Sequence, residues 1–153
     1  MEKSERRILV VDDDDAIRAL LLTILRRRGF AVDTARNGVE AVQCIERCSY
    51  SLMLLDLMMP QMSGWEVLAH LDECGSDRQL PLVIVLTAGH EPRDLNPAYV
   101  AGTVRKPFDV ELLLDTIKGC ISTREQNPQL AGCPPAETEA GGKAIRRSGG
   151  NIN

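Results

Sequence analysis

Five short stretches typical of β-strands alternate along the chain with longer segments whose apolar residues recur at helical spacing. Short apolar runs are typical of buried strands, whereas apolar residues every three or four positions indicate amphipathic helices. The strand candidates are residues 8–11, 30–35, 52–55, 82–86 and a short fifth one around Val104. A strand–helix unit repeated in this way predicts a parallel sheet with helices on both faces.

The fold class that fits this pattern is α/β, a doubly wound five-stranded parallel sheet of flavodoxin-like order 2-1-3-4-5. One unit of the pattern is weak, because Pro92 and Pro97 interrupt the segment between the fourth and fifth strands. A proline inside a helix removes a backbone donor and clashes with the preceding turn. We therefore expect the fourth helix to be short, distorted or missing.

Composition places the chain among ordinary globular proteins, since 44% of its residues are hydrophobic and 26% are charged. The net charge of −4 gives no electrostatic reason to expect nucleic-acid binding. We expect no membrane segment, because no apolar run is long enough to span a bilayer, and the N-terminus lacks the apolar segment of a secretory signal. Five scattered cysteines suit reduced thiols, so we expect a cytoplasmic protein.

The composition changes near Arg124, after which Pro, Gly, Ala and polar residues follow without strand or helix periodicity. We therefore expect a folded domain over residues 6–122 and a disordered C-terminal tail over residues 123–153. The tail is too short for a second domain with its own core, so the sequence predicts no direct DNA binding.

Polar residues follow four of the five predicted strands, at the edge where open parallel sheets bind ligands. They are Asp12 and Asp13 after the first strand, Asp56 after the third, Thr87 after the fourth and Lys106 after the fifth. Neighbouring carboxylates repel one another unless a cation neutralises them, and Mg²⁺ prefers oxygen ligands. Thr87 and Lys106 would supply donors to a phosphoryl oxygen, while Asp56 could act as a nucleophile on phosphorus. The pattern predicts a divalent-cation site at which an aspartyl phosphate forms.

These residues and their surroundings resemble the receiver domain of bacterial two-component response regulators. The resemblance covers roughly residues 6–122, in the order that the family shows. It is carried by Ile8-Leu9-Val10-Val11-Asp12-Asp13, Leu54-Leu55-Asp56-Leu57-Met58-Met59-Pro60, Ser63-Gly64, Leu86-Thr87-Ala88 and Lys106-Pro107-Phe108.

The resemblance implies which residues bind the metal ion. Asp56 would be the phosphoacceptor and would also contact a bound Mg²⁺ or Mn²⁺. Asp13 would bind the metal directly, Asp12 partly through water, and the backbone carbonyl of Met58 would be a further ligand.

The resemblance also implies how the phosphoryl group is held and reported. Thr87 would hydrogen-bond it, Lys106 would pair with its oxygen, and the Lys106–Pro107 peptide bond would be cis. The chain departs from the family in two respects: the stretch from Thr87 to Lys106 is shorter than usual, and Thr103 stands where an aromatic residue is common. Tyr99 could substitute for that aromatic switch residue, although ordinary packing is the simpler interpretation.

The leading hypothesis is a single-domain response regulator that is phosphorylated by a sensor histidine kinase or a histidine phosphotransfer protein. It would signal by binding a downstream protein, and it would not be an enzyme beyond its own phosphorylation and dephosphorylation. One alternative is a degenerate receiver that binds partners without phosphorylation, against which the retained site residues argue. The other is a magnesium-dependent phosphatase of the haloacid-dehalogenase-like class, which requires an aspartate where this chain has Met58.

Overall fold

The computed structural model of this chain describes residues 6–74, 80–89 and 92–126. Within these residues five strands and four helices follow one another as β1 (Arg7–Val11), α1 (Asp15–Arg27), β2 (Ala31–Ala35), α2 (Gly38–Arg47), β3 (Leu52–Asp56), α3 (Gly64–Cys74), β4 (Leu82–Thr87), β5 (Val100–Arg105) and α4 (Val110–Gln126). The strands form one parallel sheet in the order β2-β1-β3-β4-β5. The predicted doubly wound fold is confirmed.

The hydrophobic core lies in two layers, one on each face of the sheet. Successive side chains of a strand point to opposite faces, so Leu9 and Val11 of β1 pack with α2 and α3, whereas Ile8 and Val10 pack with α1 and α4. All residues of the central strand β3 are buried. Because both faces are covered, β3 has the continuous apolar sequence that parallel sheets require.

Short polar side chains fix where three of the helices begin. Asp14 accepts hydrogen bonds from the backbone of Ala16 and Ile17 at the start of α1, and Asn37 accepts one from Glu40 at the start of α2. Asp109 caps α4 in the same manner. Each cap satisfies backbone N–H groups that the first helical turn leaves unpaired, and it places the helix start directly after a strand.

The connection between β4 and β5 has no helix among its described residues. The prediction that the fourth helix is short, distorted or missing is therefore confirmed, since the described residues of this connection form no helix.

The fifth strand is longer than the sequence suggested, since it starts at Val100. Its pairing with β4 is irregular near that start, because Val83 faces Val100 whereas Ile84 faces Gly102. Ala101 is thus an extra residue in the ladder, which is the pattern of a β-bulge.

Tyr99 anchors this connection to α3. The Tyr99 hydroxyl lies 2.7 Å from Asp72 Oδ1 and 3.1 Å from the carbonyl oxygen of Leu68, and its ring is buried in the core layer that α3 covers. The Asn96 side-chain amide donates to the same Asp72 oxygen over 3.2 Å. Tyr99 therefore has the packing role that was the simpler interpretation of the sequence.

The last helix extends beyond the predicted domain boundary at residue 122. Arg124 is buried on α4 and donates to the carbonyl of Leu80 over 2.6 Å and to the carbonyl of Ser51. The sequence after Gln126, predicted to be disordered, lies outside the described residues. Among the helices of the described part, none is long and apolar enough to cross a membrane.

Replacing Tyr99 with Phe should loosen the β4–β5 connection without removing its apolar packing. The loss of the hydroxyl contacts is expected to lower the free energy of unfolding by about 1 kcal/mol in a urea titration. Hydrogen exchange at the Val83 and Val100 amides should also accelerate, because both are bonded to the backbone of this connection.

Tyr50→Phe is the matched control for this prediction. Tyr50 is also buried, and its hydroxyl donates to Asp33 over 2.7 Å at the opposite side of the sheet. It should lose similar stability while leaving exchange at Val83 and Val100 as in the wild type. Unchanged exchange at those two amides in Tyr99→Phe would contradict the anchoring role of Tyr99.

Candidate functional site

The predicted site residues come together at the carboxyl edge of the sheet. The strand register pairs Val11 with Leu55, Asp56 with Leu86 and Thr87 with Arg105. Asp12, Asp56, Thr87 and Lys106 therefore lie side by side at the ends of four adjacent strands. A hydrogen bond of 2.7 Å from the Lys106 N–H to the Thr87 carbonyl joins the last two.

Three carboxylates converge at this edge. Each of Asp12, Asp13 and Asp56 offers an oxygen that lies within 4.8 Å of the oxygens of the other two. Asp12 is completely buried and Asp56 is 4% exposed, whereas Asp13 is exposed to solvent. Two buried acids and one exposed acid thus surround a space that is open to solvent on the Asp13 side.

Backbone N–H groups orient the two buried carboxylates. The N–H of Asp14 donates to Asp12 Oδ1 over 2.9 Å, and the N–H of Met58 donates to Asp56 Oδ1 over 3.2 Å. Both bonds link a residue to the one two positions later, as in an Asx turn. Each carboxylate is therefore held by one oxygen, while its second oxygen faces Lys106.

Lys106 lies between the two buried acids. Its Nζ is 2.8 Å from Asp12 Oδ2 and 3.5 Å from Asp56 Oδ2, and the side chain is largely buried. Burial alone would lower the pKa of Lys106, but the Asp12 and Asp56 carboxylates outweigh that effect and raise its pKa above the ordinary value. Lys106 is therefore charged at neutral pH.

One lysine does not compensate the negative charge of this site. Burial, with the charge of Asp12 acting in the same direction, raises the pKa of Asp56 to about 6. The Met58 N–H and the Lys106 ammonium lower the pKa of Asp56, but only in part. The ionised form of Asp56 is thus disfavoured when protein groups alone surround it.

A divalent cation fits the donors present. Asp12 Oδ2 is buried, and its partner among the described residues is the Lys106 ammonium at 2.8 Å, so this oxygen keeps a further lone pair. A buried carboxylate oxygen with this spare capacity, beside two further carboxylates, is a suitable ligand set for Mg²⁺. The Met58 side chain is 71% exposed, while its N–H contact with Asp56 places its peptide group next to the site.

Thr87 and the cis peptide bond complete the predicted set. Thr87 is buried at the end of β4, and its Oγ1 accepts a hydrogen bond of 3.3 Å from the Gly89 N–H. The Lys106–Pro107 bond is cis, as expected. The carboxyl edge of the sheet therefore brings together Asp12, Asp13, Asp56, Thr87 and Lys106, with the Met58 backbone beside Asp56.

Two contacts near the site were missed by reasoning from sequence. Gly64, part of the Ser63-Gly64 motif, packs so closely that a Cβ there would lie 2.4 Å from the carbonyl oxygen of Asp56; the motif does not reveal this contact. Arg18 on α1 donates to the carbonyl oxygen of Asp12 over 2.7 Å and pairs with Asp15. The spacing of Asp15 and Arg18 indicates a helical ion pair, but it does not reveal the contact with Asp12.

Comparison with known protein families supports the same interpretation. The model of the response regulator receiver domain family matches residues 8–118. The transcriptional regulatory protein ResD of Bacillus subtilis is 36% identical over 128 residues, which are 82% of this chain and 52% of ResD. Response regulator MprA of Mycobacterium leprae is 38% identical over 118 residues, 75% of this chain and 50% of MprA. The chain thus spans about half the length of these curated relatives.

Solved structures with the same fold include other response regulator proteins. TrrA from Thermotoga maritima, solved in complex with Mg²⁺-BeF, is 37% identical with a TM-score of 0.65, covering 75% of this chain and 98% of TrrA. TrrA has also been solved in complex with the histidine kinase ThkA. A CheY-like receiver domain from Methanospirillum hungatei is 29% identical with a TM-score of 0.69, covering 79% of this chain and 98% of that domain.

The strand order, the acidic cluster beside Lys106 and the family match over most of the chain agree with one another. A receiver domain is the phosphoryl-accepting signalling module of a two-component system. This chain belongs to the response regulator receiver domain family.

Proposed function

We propose that Asp56 accepts a phosphoryl group from a sensor histidine kinase or a histidine phosphotransfer protein, in a reaction that requires Mg²⁺. The observation that carries this proposal is the position of Asp56, buried between two other acids and 3.5 Å from Lys106. The complexes of the relative TrrA with Mg²⁺-BeF and with a histidine kinase support it.

Asp56 is the nucleophile of the proposed reaction, and all three acids are proposed metal ligands. One Asp56 carboxylate oxygen forms the new bond to phosphorus as the bond from phosphorus to the donor's leaving group breaks. Asp12, Asp13, Asp56 and the Met58 carbonyl would hold Mg²⁺, or Mn²⁺ in its place. The bound metal supplies positive charge that neutralises the acids and the transferring oxygens.

Lys106 and Thr87 are the proposed partners of the transferred phosphoryl group. Lys106 already lies within 3.5 Å of Asp56 Oδ2, so a phosphoryl group on that carboxylate would lie within reach of its ammonium. Thr87 lies one position beyond Leu86, the register partner of Asp56, and its hydroxyl can donate to a phosphoryl oxygen. The contacts of Lys106 and Thr87 with the phosphoryl group would form only in the phosphorylated state, so we propose that they distinguish this state from the unphosphorylated one.

The proposed output is the binding of a downstream protein by the phosphorylated domain, over residues 6–122, with no catalysis beyond its own phosphorylation and dephosphorylation. Signalling in the cytoplasm without contacting DNA stays a prediction. The curated relatives are about twice as long as the matched region, so the action of a whole relative does not transfer to this chain.

Incubation with acetyl phosphate and Mg²⁺ tests the proposed phosphoacceptor. Intact mass spectrometry should show one phosphoryl adduct that is stable in acid and labile in base, and the adduct should be absent in Asp56→Asn and after chelation. Asp115→Asn is the matched control, because Asp115 is an exposed acid on α4 and is not one of the clustered carboxylates. No adduct with acetyl phosphate or with a phosphorylated kinase would instead favour a receiver that binds partners without phosphorylation.

The pH dependence of stability tests the environment of Asp56. The pKa of Asp56 is about 6 in the folded protein against an ordinary 3.8, so between these pH values Asp56 is protonated in the folded state and ionised in the unfolded state. Relative to the ionised form, protonated Asp56 favours the folded state. This contribution to stability is complete below pH 4 and is lost as the pH rises through 6. In chelator, Asp56→Asn should be more stable than wild type by about 1–3 kcal/mol at pH 7.5, and by much less at pH 4.

Urea titrations at both pH values provide the measurement, and Mg²⁺ provides a second arm. Millimolar Mg²⁺ should stabilise the wild type more than Asp56→Asn at pH 7.5, because the variant lacks one carboxylate ligand. Equal free energies of unfolding of the two proteins in chelator at pH 7.5 would show that burial of the ionised Asp56 carboxylate does not destabilise the fold.

A further inference from the structure

Arg18 contacts the acidic loop that follows β1. It lies on α1 with only 13% of its side chain exposed, although arginine is normally a surface residue. Its Nη1 donates to the backbone carbonyl of Asp12 over 2.7 Å, and its Nη2 pairs with the Asp15 carboxylate. The guanidinium therefore contacts both ends of a run of four consecutive aspartates, residues 12–15.

The Asp12 carbonyl is a position where such a contact matters. Asp12 follows the last residue of β1, and it is completely buried, so water does not solvate its carbonyl. A buried carbonyl that loses its hydrogen bond is costly, and the backbone would rotate to find another donor. Since the Asp12 side chain extends from the same residue, that rotation would also move a carboxylate of the cluster.

The Asp15 contact has a second effect. Asp15 adjoins the cluster in sequence but is not one of its three carboxylates. The planar guanidinium of Arg18 binds two acceptors in a fixed geometry, so it holds the Asp15 carboxylate in place while it binds the Asp12 carbonyl. The same side chain thus links the Asp12 backbone to the Asp15 carboxylate at the start of α1.

The charge of Arg18 also influences Glu40 on α2. The Arg36 side chain and backbone hydrogen bonds, and to a smaller extent the charge of Arg18, hold the pKa of Glu40 below its usual range. Arg36 itself pairs with Glu40 over 3.0 Å and is influenced by Asp15. Arg36 and Glu40 thus form an ion pair of their own, and the hydrogen bonds and ion pair of Arg18 go to Asp12 and Asp15 instead.

We propose that Arg18 is a positioning residue for the divalent-cation site, which sets the Asp12–Asp13 backbone in the conformation that binds the metal. This inference rests on the proposed function, because it concerns the metal site of the same reaction. Arg18 touches neither the proposed phosphoacceptor nor the space between the carboxylates, so it acts through Asp12.

The sign of the effect on Mg²⁺ affinity separates positioning from simple charge. A guanidinium close to a cation site repels the cation, so its removal would strengthen Mg²⁺ binding if charge alone mattered. If Arg18 positions Asp12 and Asp13, its removal weakens Mg²⁺ binding in spite of the lost repulsion. A purely structural role elsewhere would leave the affinity unchanged.

Calorimetric titration of the full chain with Mg²⁺, without any phosphoryl donor, is the experiment. Arg18→Gln should raise the dissociation constant for Mg²⁺ about tenfold, as loss of an outer ligand-orienting contact typically does. Arg18→Lys should recover part of the affinity, because an ammonium can still donate to the Asp12 carbonyl. Arg36→Gln is the matched control and should bind Mg²⁺ as the wild type does, since Arg36 has the same kind of ion pair without touching Asp12.

Further measurements separate the positioning role of Arg18 from an effect on stability and from the proposed phosphorylation. If Arg18→Gln does not fold, Asp15→Asn retains the Asp12 contact and should weaken Mg²⁺ binding only about twofold, less than Arg18→Lys does. Labelling of Arg18→Gln by acetyl phosphate should approach the wild-type rate at saturating Mg²⁺, because only the affinity for the metal has changed. Unchanged or tighter Mg²⁺ binding in Arg18→Gln overturns the positioning role. Wild-type protein that binds Mg²⁺ but is labelled neither by acetyl phosphate nor by a phosphorylated kinase overturns the proposed function instead.

Discussion

Asp12, Asp13 and Asp56 place three carboxylate oxygens within 4.8 Å of one another, and their mutual repulsion is the constraint on which the rest of the site depends. The sheet imposes this closeness, because β1 and β3 are neighbours that end at the same edge. Local groups reduce the repulsion in steps, through a backbone N–H on each buried acid and Lys106 between them. The N–H groups and Lys106 together do not cancel the repulsion between the carboxylates, and the site therefore favours additional positive charge.

The fold and the main site residues could be predicted from the sequence because each depends on local or periodic signals. The spacing of apolar residues predicts the strands and helices, and hence a sheet covered by helices on both faces. In such a sheet ligands bind beyond the carboxyl ends of the strands, so residues that follow different strands are expected at one edge. The start of α1 illustrates a finer limit: four consecutive aspartates precede it, and only the structure shows that Asp14 is the one that caps the helix.

The contacts that sequence reasoning missed depend on distances between elements rather than on residue type. Gly64 has an ordinary helix-start signal, yet it also allows α3 to approach the Asp56 carbonyl. Arg18 has an ordinary ion-pair spacing, yet its side chain turns back to the end of β1. Likewise, two prolines predicted a weak fourth helix, but not that Tyr99 and Asp72 would tie the remaining chain to α3. Neither period nor propensity encodes such tertiary contacts.

The irregular start of β5 affects how this protein meets other protein chains. β5 is the outermost strand on its side of the sheet, and an outermost strand offers unpaired backbone groups to any extended chain that approaches. The extra residue at Ala101 disturbs the even spacing of those groups, and Arg105 adds a charge at the far end. Only a short regular stretch remains between them. This irregularity protects the exposed edge of β5 against edge-to-edge aggregation.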